Sequence, residues 1–137
     1  MLAIVLASHG GFAEGIKESA DMIFGKQEKV AAVSFSPDEG PDELQRKFET
    51  VVDGFDADDE ILFLVDLWGG SPFNITSRLV TKQPERMALI TGLNLAMLIE
   101  AYTVRNQPLE TVIPHLEEIA KAGVKHLDQH SLEQGAE

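Results

Sequence analysis

The sequence predicts one α/β domain, a doubly wound and mainly parallel four-stranded sheet in the order 2-1-3-4 with helices on both faces. Three observations carry that expectation. Four short aliphatic runs, "LAIVLAS", "VAAVSF", "ILFLVD" and "MALITG", are continuous instead of alternating, which is the pattern of strands covered on both faces. Amphipathic stretches of helical period separate them. A chain of 137 residues with 44% hydrophobic content suffices for one core and is too short for two.

In chain order, residues 2–8 form the first strand, because Met1 leads directly into an aliphatic run too short to span a bilayer and without the basic start of a signal peptide. The first helix covers 12–24 and stops at Gly25. Strand two covers 30–35, and helix two runs from Pro41 to about Val52. Strand three is 61–66. Helix three is expected from Ser71, as N-cap ahead of Pro72, to about Lys82, stopped by Pro84. Strand four is 87–92 and helix four is 95–102, with Met22, Met87 and Met97 expected in the core of these periodic stretches. In "PLETVIPHLEEIAKAG" the interior Pro114 leaves two possibilities, a helix that is kinked or one that begins near Pro114 and ends at Gly123. "VKHL", residues 124–127, has the look of a short fifth strand. The domain is therefore placed at 1–128, and 129–137 is a polar tail expected to fray.

Composition narrows the function. The 23 Asp plus Glu against 11 Lys plus Arg give a formal net charge of -12, and no Lys/Arg cluster interleaved with aromatics occurs, which disfavours nucleic acid as a partner. The excess charge itself is accounted for by solubility. With no cysteine, thiol catalysis, CxxC redox chemistry and thiolate metal sites are ruled out, and a reducing cytoplasm is the natural setting. His126 and His130 are four residues apart but fall in the expected short strand and the tail, so no histidine has a second ligand at HxxxH spacing within one helix, and neither metal nor cofactor is expected. His115, His126 and His130 are read as surface or packing residues.

The chemistry concentrates where a doubly wound sheet places ligands, beyond the carboxyl ends of the strands at the switch in winding direction, between strands one and three. Strand one ends in "SHGG" and strand three in "VDLWGGSPFN". If the two strands are neighbours, His9 and Asp66 meet. A carboxylate accepting the Nδ1–H of His9 would fix the tautomer, leave Nε2 as the nucleophile and stabilise the ring once Nε2 is substituted. Gly10 and Gly11 allow backbone to approach a ligand beside the histidine, and Gly69 and Gly70 let the second loop wrap closely. A helix starting at Ser71 would turn free N–H groups and a partial positive charge toward a phosphoryl group. Trp68, two residues after the acid, is placed to shield the site or touch a partner.

"LFLVDLWGGSPFN", "IVLASHGGFAEGI" and "ITGLNLAMLIEA" together resemble the IIA component of the mannose-family phosphoenolpyruvate-dependent sugar phosphotransferase system, over residues 2–127. The resemblance implies a cytoplasmic phosphocarrier. It would accept a phosphoryl group from phospho-HPr on Nε2 of His9, with Asp66 as orienting acid and Ser71 near the phosphoryl group, and pass it to a IIB component serving a IIC/IID membrane permease, without inserting into the membrane itself. It also implies a homodimer in which the fifth strand packs antiparallel into the partner's sheet. Trp68 and Asn94 are assigned to a rim that meets partners. Leu67 stands where a relative carries threonine, and Ala96 where proline can occur, which puts a hydroxyl near the acid and the shape of that rim in question.

Two other readings remain, the phosphoryl-transfer subunit of a dihydroxyacetone kinase and a phosphate-binding regulatory module. The second lacks a P-loop lysine or a GxGxxG fingerprint. A histidine phosphatase would need arginine before the histidine, and Ser8 stands there.

Overall fold

Residues 2–8 are all buried, which only a strand covered on both sides allows. The computed structural model describes residues 1–134; the last three residues of the expected tail, 135–137, lie outside the described residues. The elements are β1 Ala3–His9, α1 Phe12–Phe24, β2 Val30–Phe35, α2 Pro41–Asp53, β3 Ile61–Val65, α3 Gly70–Lys82, β4 Met87–Thr91, α4 Leu95–Thr103, α5 Leu109–Ala122 and α6 Gln129–Glu133. The sheet is parallel throughout, four strands in the order β2-β1-β3-β4.

Strand alternation sorts the central strand between two cores. Leu2, Ile4 and Leu6 pack with Ala13, Ile16 and Leu116 under α1, α4 and α5. Ala3, Val5 and Ala7 pack with Leu44, Phe48 and Ile75 under α2 and α3. The polar residues that end the strand keep this alternation, so Ser8 continues the first row and His9 the second.

Two helices depart from the sequence expectation in instructive ways. In α1 the buried line is Ala13, Ile16 and Ala20. Met22 therefore projects outward and is 87% exposed instead of core, whereas Met87 and Met97 are buried. Helix α5 passes through Pro114 instead of starting there. Proline removes the N–H that would bond the Glu110 carbonyl, but Glu110 is exposed and its carbonyl can be hydrated, while Leu109, Val112, Leu116 and Ala120 hold the helix to the core. Beyond it, residues 124–128 carry no regular secondary structure and make no strand within this chain, with Val124 and Leu127 exposed. The short helix α6 occupies part of the stretch read as a polar tail.

The amino end of the sheet is tied by a polar clip. The buried Arg105 guanidinium donates to the Leu2 carbonyl through Nε and Nη2, and Nη2 also donates to the Lys29 carbonyl. Burial pulls the Arg105 pKa down. Lys29 itself sits at φ 54, a left-handed conformation that costs a non-glycine residue energy. Its ammonium holds Asp59 at 2.9 Å and Asp56 at 3.0 Å.

That hydrogen bond from Lys29 holds the Asp59 carboxyl below its ordinary value of 3.8. A depressed folded pKa adds stability that is present above the unfolded value and disappears as pH falls through the folded one. Asp59→Asn should therefore lower the melting temperature at neutral pH, and its difference from the wild type should close as pH falls below about 4. A difference constant from neutral pH into that acid range would contradict the pairing.

Candidate active site

Strand order places the two loops side by side. β1 pairs with β3 up to the register Ala7↔Val65; β3 ends there, while β1 continues along β2 to His9, so Asp66 comes out beside the end of β1. The Asp66 N–H donates to the Ala7 carbonyl at 3.2 Å, one more rung of the ladder. The Asp66 carboxylate then turns back over β1. Its Oδ2 accepts the backbone N–H of His9 at 2.9 Å and lies 2.9 Å from His9 Nδ1, while Oδ1 accepts the Leu67 N–H at 2.9 Å. With backbone donors already on both oxygens, the carboxyl acts as an acceptor and Nδ1 carries the ring proton. Nε2 keeps its lone pair. The His9 side chain is 44% exposed and the Asp66 side chain 14%, so an accessible ring is held by a sheltered acid.

The imidazole is confined on two further sides. Phe35, its register partner on β2, presents its ring at 6.1 Å between centroids and 70°. Gly70 lies against the ring tip, where an added Cβ would stand 3.0 Å from both Cε1 and Nε2. Gly69 and Gly70 have φ of 102° and 85°, the region open to glycine. The N-cap of α3 is Gly69, two residues earlier than the sequence suggests. Ser71 is consequently not the N-cap, since Gly69 occupies that place without a side-chain cap, and Ser71 lies in the first turn. Its hydroxyl makes no hydrogen bond among the described residues.

Two helix starts follow directly on these loops. The amides of Gly11 and Phe12 at α1, and of Gly70 and Ser71 at α3, find no acceptor among the described residues. Such groups, with the helix dipoles behind them, suit an anion next to Nε2. Gly10, at φ 57°, is fastened to β2 through its N–H to the Phe35 carbonyl at 2.8 Å.

Exposed apolar side chains make a collar on the two loops that carry His9 and Asp66. Trp68 is 81% exposed and rests on Phe73 at 4.5 Å, with Leu67 and Phe12 also exposed. Asn94 is placed differently from the other rim residue. Its Oδ1 accepts the Met97 N–H, capping α4, and its Nδ2 donates to the Ala120 carbonyl, so both polar ends serve the fold. Sequence reasoning missed Phe35 and the buried Ser8, whose Oγ accepts the Ala13 N–H at 2.7 Å and donates to the Gly10 carbonyl at 3.2 Å. A serine closing an otherwise aliphatic strand was the available signal for the latter. Among the described residues no group of three or more acidic or histidine side chains could hold a metal, and no helix is long and apolar enough to cross a membrane. His115 pairs with Glu100 at 2.6 Å, away from this loop pair, and His126 and His130 are exposed.

Residues 3–120 match the family described as EIIA-man, the PTS system fructose IIA component. The chain belongs to the mannose-type EIIA family. It is 30% identical over 131 residues to the fructose-specific EIIA component of Bacillus subtilis, spanning 95% of this chain and 89% of that protein. It is 36% identical to the mannose-specific EIIAB component of Escherichia coli over 98% of its own length, but spans only 42% of that relative. Among solved structures, the mannose/sorbose specific IIA subunit of Enterococcus faecalis superposes with a TM-score of 0.85 at 30% identity, covering 93% of this chain and 95% of the other. An EIIA from Streptococcus agalactiae gives 0.84, also at 30% identity, covering 92% and 97%. EIIA components are phosphotransferases that pass phosphate by way of a histidine.

The contact between Gly70 and His9 makes a direct test of the EIIA site's geometry. Gly70→Ala should cost about 1–2 kcal/mol for the left-handed backbone and displace the imidazole. The Cε1 proton resonance of His9 should move, and urea unfolding should register the loss. An unmoved resonance with unchanged stability would refute the packing.

Proposed function

We propose that the protein is a cytoplasmic phosphocarrier of a mannose-type phosphotransferase system, taking a phosphoryl group from phospho-HPr on His9 and delivering it to a IIB component. The observation that carries the reading is the 2.9 Å contact between His9 Nδ1 and Asp66 Oδ2, which leaves Nε2 as the exposed nucleophile. In the forward step the Nε2 lone pair attacks phosphorus, a P–N bond forms, and the bond from phosphorus to the donor breaks with its electron pair returning to the donor. The proton on Nδ1 stays in place. The ring becomes positive, and the bond to Asp66 turns charge-assisted, worth roughly 1.5–3 kcal/mol before its partial exposure to solvent is discounted. Gly10, Gly11, Gly69, Gly70 and Ser71 line the space the phosphoryl group would enter, and the amides of Gly11, Phe12, Gly70 and Ser71 meet its oxygens.

A carrier must also release what it accepts. The half-exposed ring, open to solvent, keeps the phosphohistidine near energetic balance between donor and acceptor. The apolar collar of Trp68, Leu67 and Phe12 gives partners a surface to exclude water around the transferring group. Through IIB the group would reach a IIC/IID permease, where the sugar is selected.

Two copies would complete the fold. β4 is an outer strand, and a groove of about 440 Å³ runs along it, lined by Trp68, Leu89, Thr91, Ile113, Lys121 and Val124. The exposed 124–127 segment of a second copy would pair antiparallel there and cover the open edge.

Incubation with phosphoenolpyruvate, enzyme I and HPr should add one acid-labile, alkali-stable phosphoryl group per chain. His9→Ala should abolish labelling, and Asp66→Asn should leave the fold intact and slow transfer by about one to two orders of magnitude. Label surviving His9→Ala, or an acyl phosphate on Asp66, would exclude the mechanism. Light scattering should give a dimer; a monomer at micromolar concentration, unchanged on truncation after Gly123, would exclude strand exchange.

A further inference from the structure

We infer that Ser8, resting on the carrier reading above, is a positioning residue for phosphoryl transfer: its buried hydroxyl sets the backbone on which the anion site beside His9 is built. Ser8 ends the row of Leu2, Ile4 and Leu6 on the face of β1 beneath α1 and has no solvent exposure. A hydroxyl at a fully buried place needs partners, and it has two. Oγ accepts the Ala13 N–H at 2.7 Å and donates to the Gly10 carbonyl at 3.2 Å.

Each bond has a consequence at the site. The bond from Ala13 anchors the first turn of α1 to the strand, so the turn cannot drift relative to His9. Its cap residue, Gly11, offers no side chain for that purpose. The bond to Gly10 turns that carbonyl oxygen toward the interior. A carbonyl aimed at the rim would repel a phosphoryl oxygen, whereas the amides of Gly11 and Phe12 remain without acceptors and available to it. Gly10 is gripped from its other side as well, by its N–H on the Phe35 carbonyl at 2.8 Å. One serine thus divides the polar groups of the "HGGFA" turn between those the fold uses and those left for the ligand.

Ser8 touches neither Nε2 nor the phosphoryl group, so its effect is expected in the rate of the step and not in partner affinity. With phospho-HPr as donor, Ser8→Ala should lower kcat for His9 labelling by about tenfold or more while KM stays within about twofold. Ser8→Cys, which fills nearly the same space with a weak acceptor, should behave likewise. Ser8→Thr, which keeps the hydroxyl, should restore the rate. Hydrogen exchange at the Ala13 amide should be slow in the wild type and Ser8→Thr and fast in Ser8→Ala, with the remainder of α1 unchanged. Variants that fold and label at the wild-type rate would overturn the inference. So would unfolding of both Ser8→Ala and Ser8→Cys, which would make Ser8 a residue of stability alone. If the wild type accepts no phosphoryl group, the carrier reading fails separately, and unchanged Ala13 exchange in Ser8→Ala would still refute the placement.

Discussion

One oxygen organises this site. Asp66 Oδ2 accepts both the backbone N–H and the Nδ1–H of the same residue, His9, and so fixes where the histidine stands and which ring nitrogen it offers. The second oxygen is held by the Leu67 N–H, so the carboxylate cannot swing away without losing a backbone bond. This arrangement exists because β1 and β3 are sheet neighbours although 57 residues separate their last polar residues. The switch in winding direction that makes them neighbours also leaves their loops free of a crossover helix, and both loops therefore open to solvent together.

The surroundings read as constraints on that pair. Gly70 is small because the imidazole tip occupies the place of a Cβ, and Phe35 closes the opposite side. Two helix starts bring unbonded amides to the remaining open face, and Ser8 keeps one of those starts in register from below. Stabilisation is spread over several weak donors near solvent. That suits a covalent intermediate that must form and be discharged again, since one very strong contact would trap it.

Much of the architecture was legible because the aliphatic runs are continuous and end in glycine or proline. The meeting of His9 with Asp66 follows once the doubly wound sheet takes the order that makes strands one and three neighbours, the order the structure has. The parts that were not legible depend on direction and local backbone. Met22 belongs to an apolar stretch, but only the rotation of α1 on the sheet decides that it faces water. Ser71 has the composition of an N-cap, yet the positive φ of Gly69 and Gly70 starts α3 earlier, a choice that pattern does not reveal. Pro114 is tolerated because four buried side chains on α5 outweigh one missing hydrogen bond. Asn94 is assigned to the rim by the resemblance, and its two hydrogen bonds within the fold, to the Met97 N–H and the Ala120 carbonyl, are visible only in three dimensions. The 124–127 segment has strand composition but pairs with no strand among the described residues, because a strand needs an edge to bond to and composition does not supply one.

The most direct measurement of the central claim is a long-range proton–nitrogen correlation spectrum of the His9 ring in the unphosphorylated protein at neutral pH. The account requires a protonated Nδ1 and a bare, lone-pair-bearing Nε2, with the Nδ1 proton shifted downfield by its bond to Asp66 and the tautomer lost in Asp66→Asn. A ring found with its proton on Nε2, or a tautomer indifferent to Asp66, would contradict it.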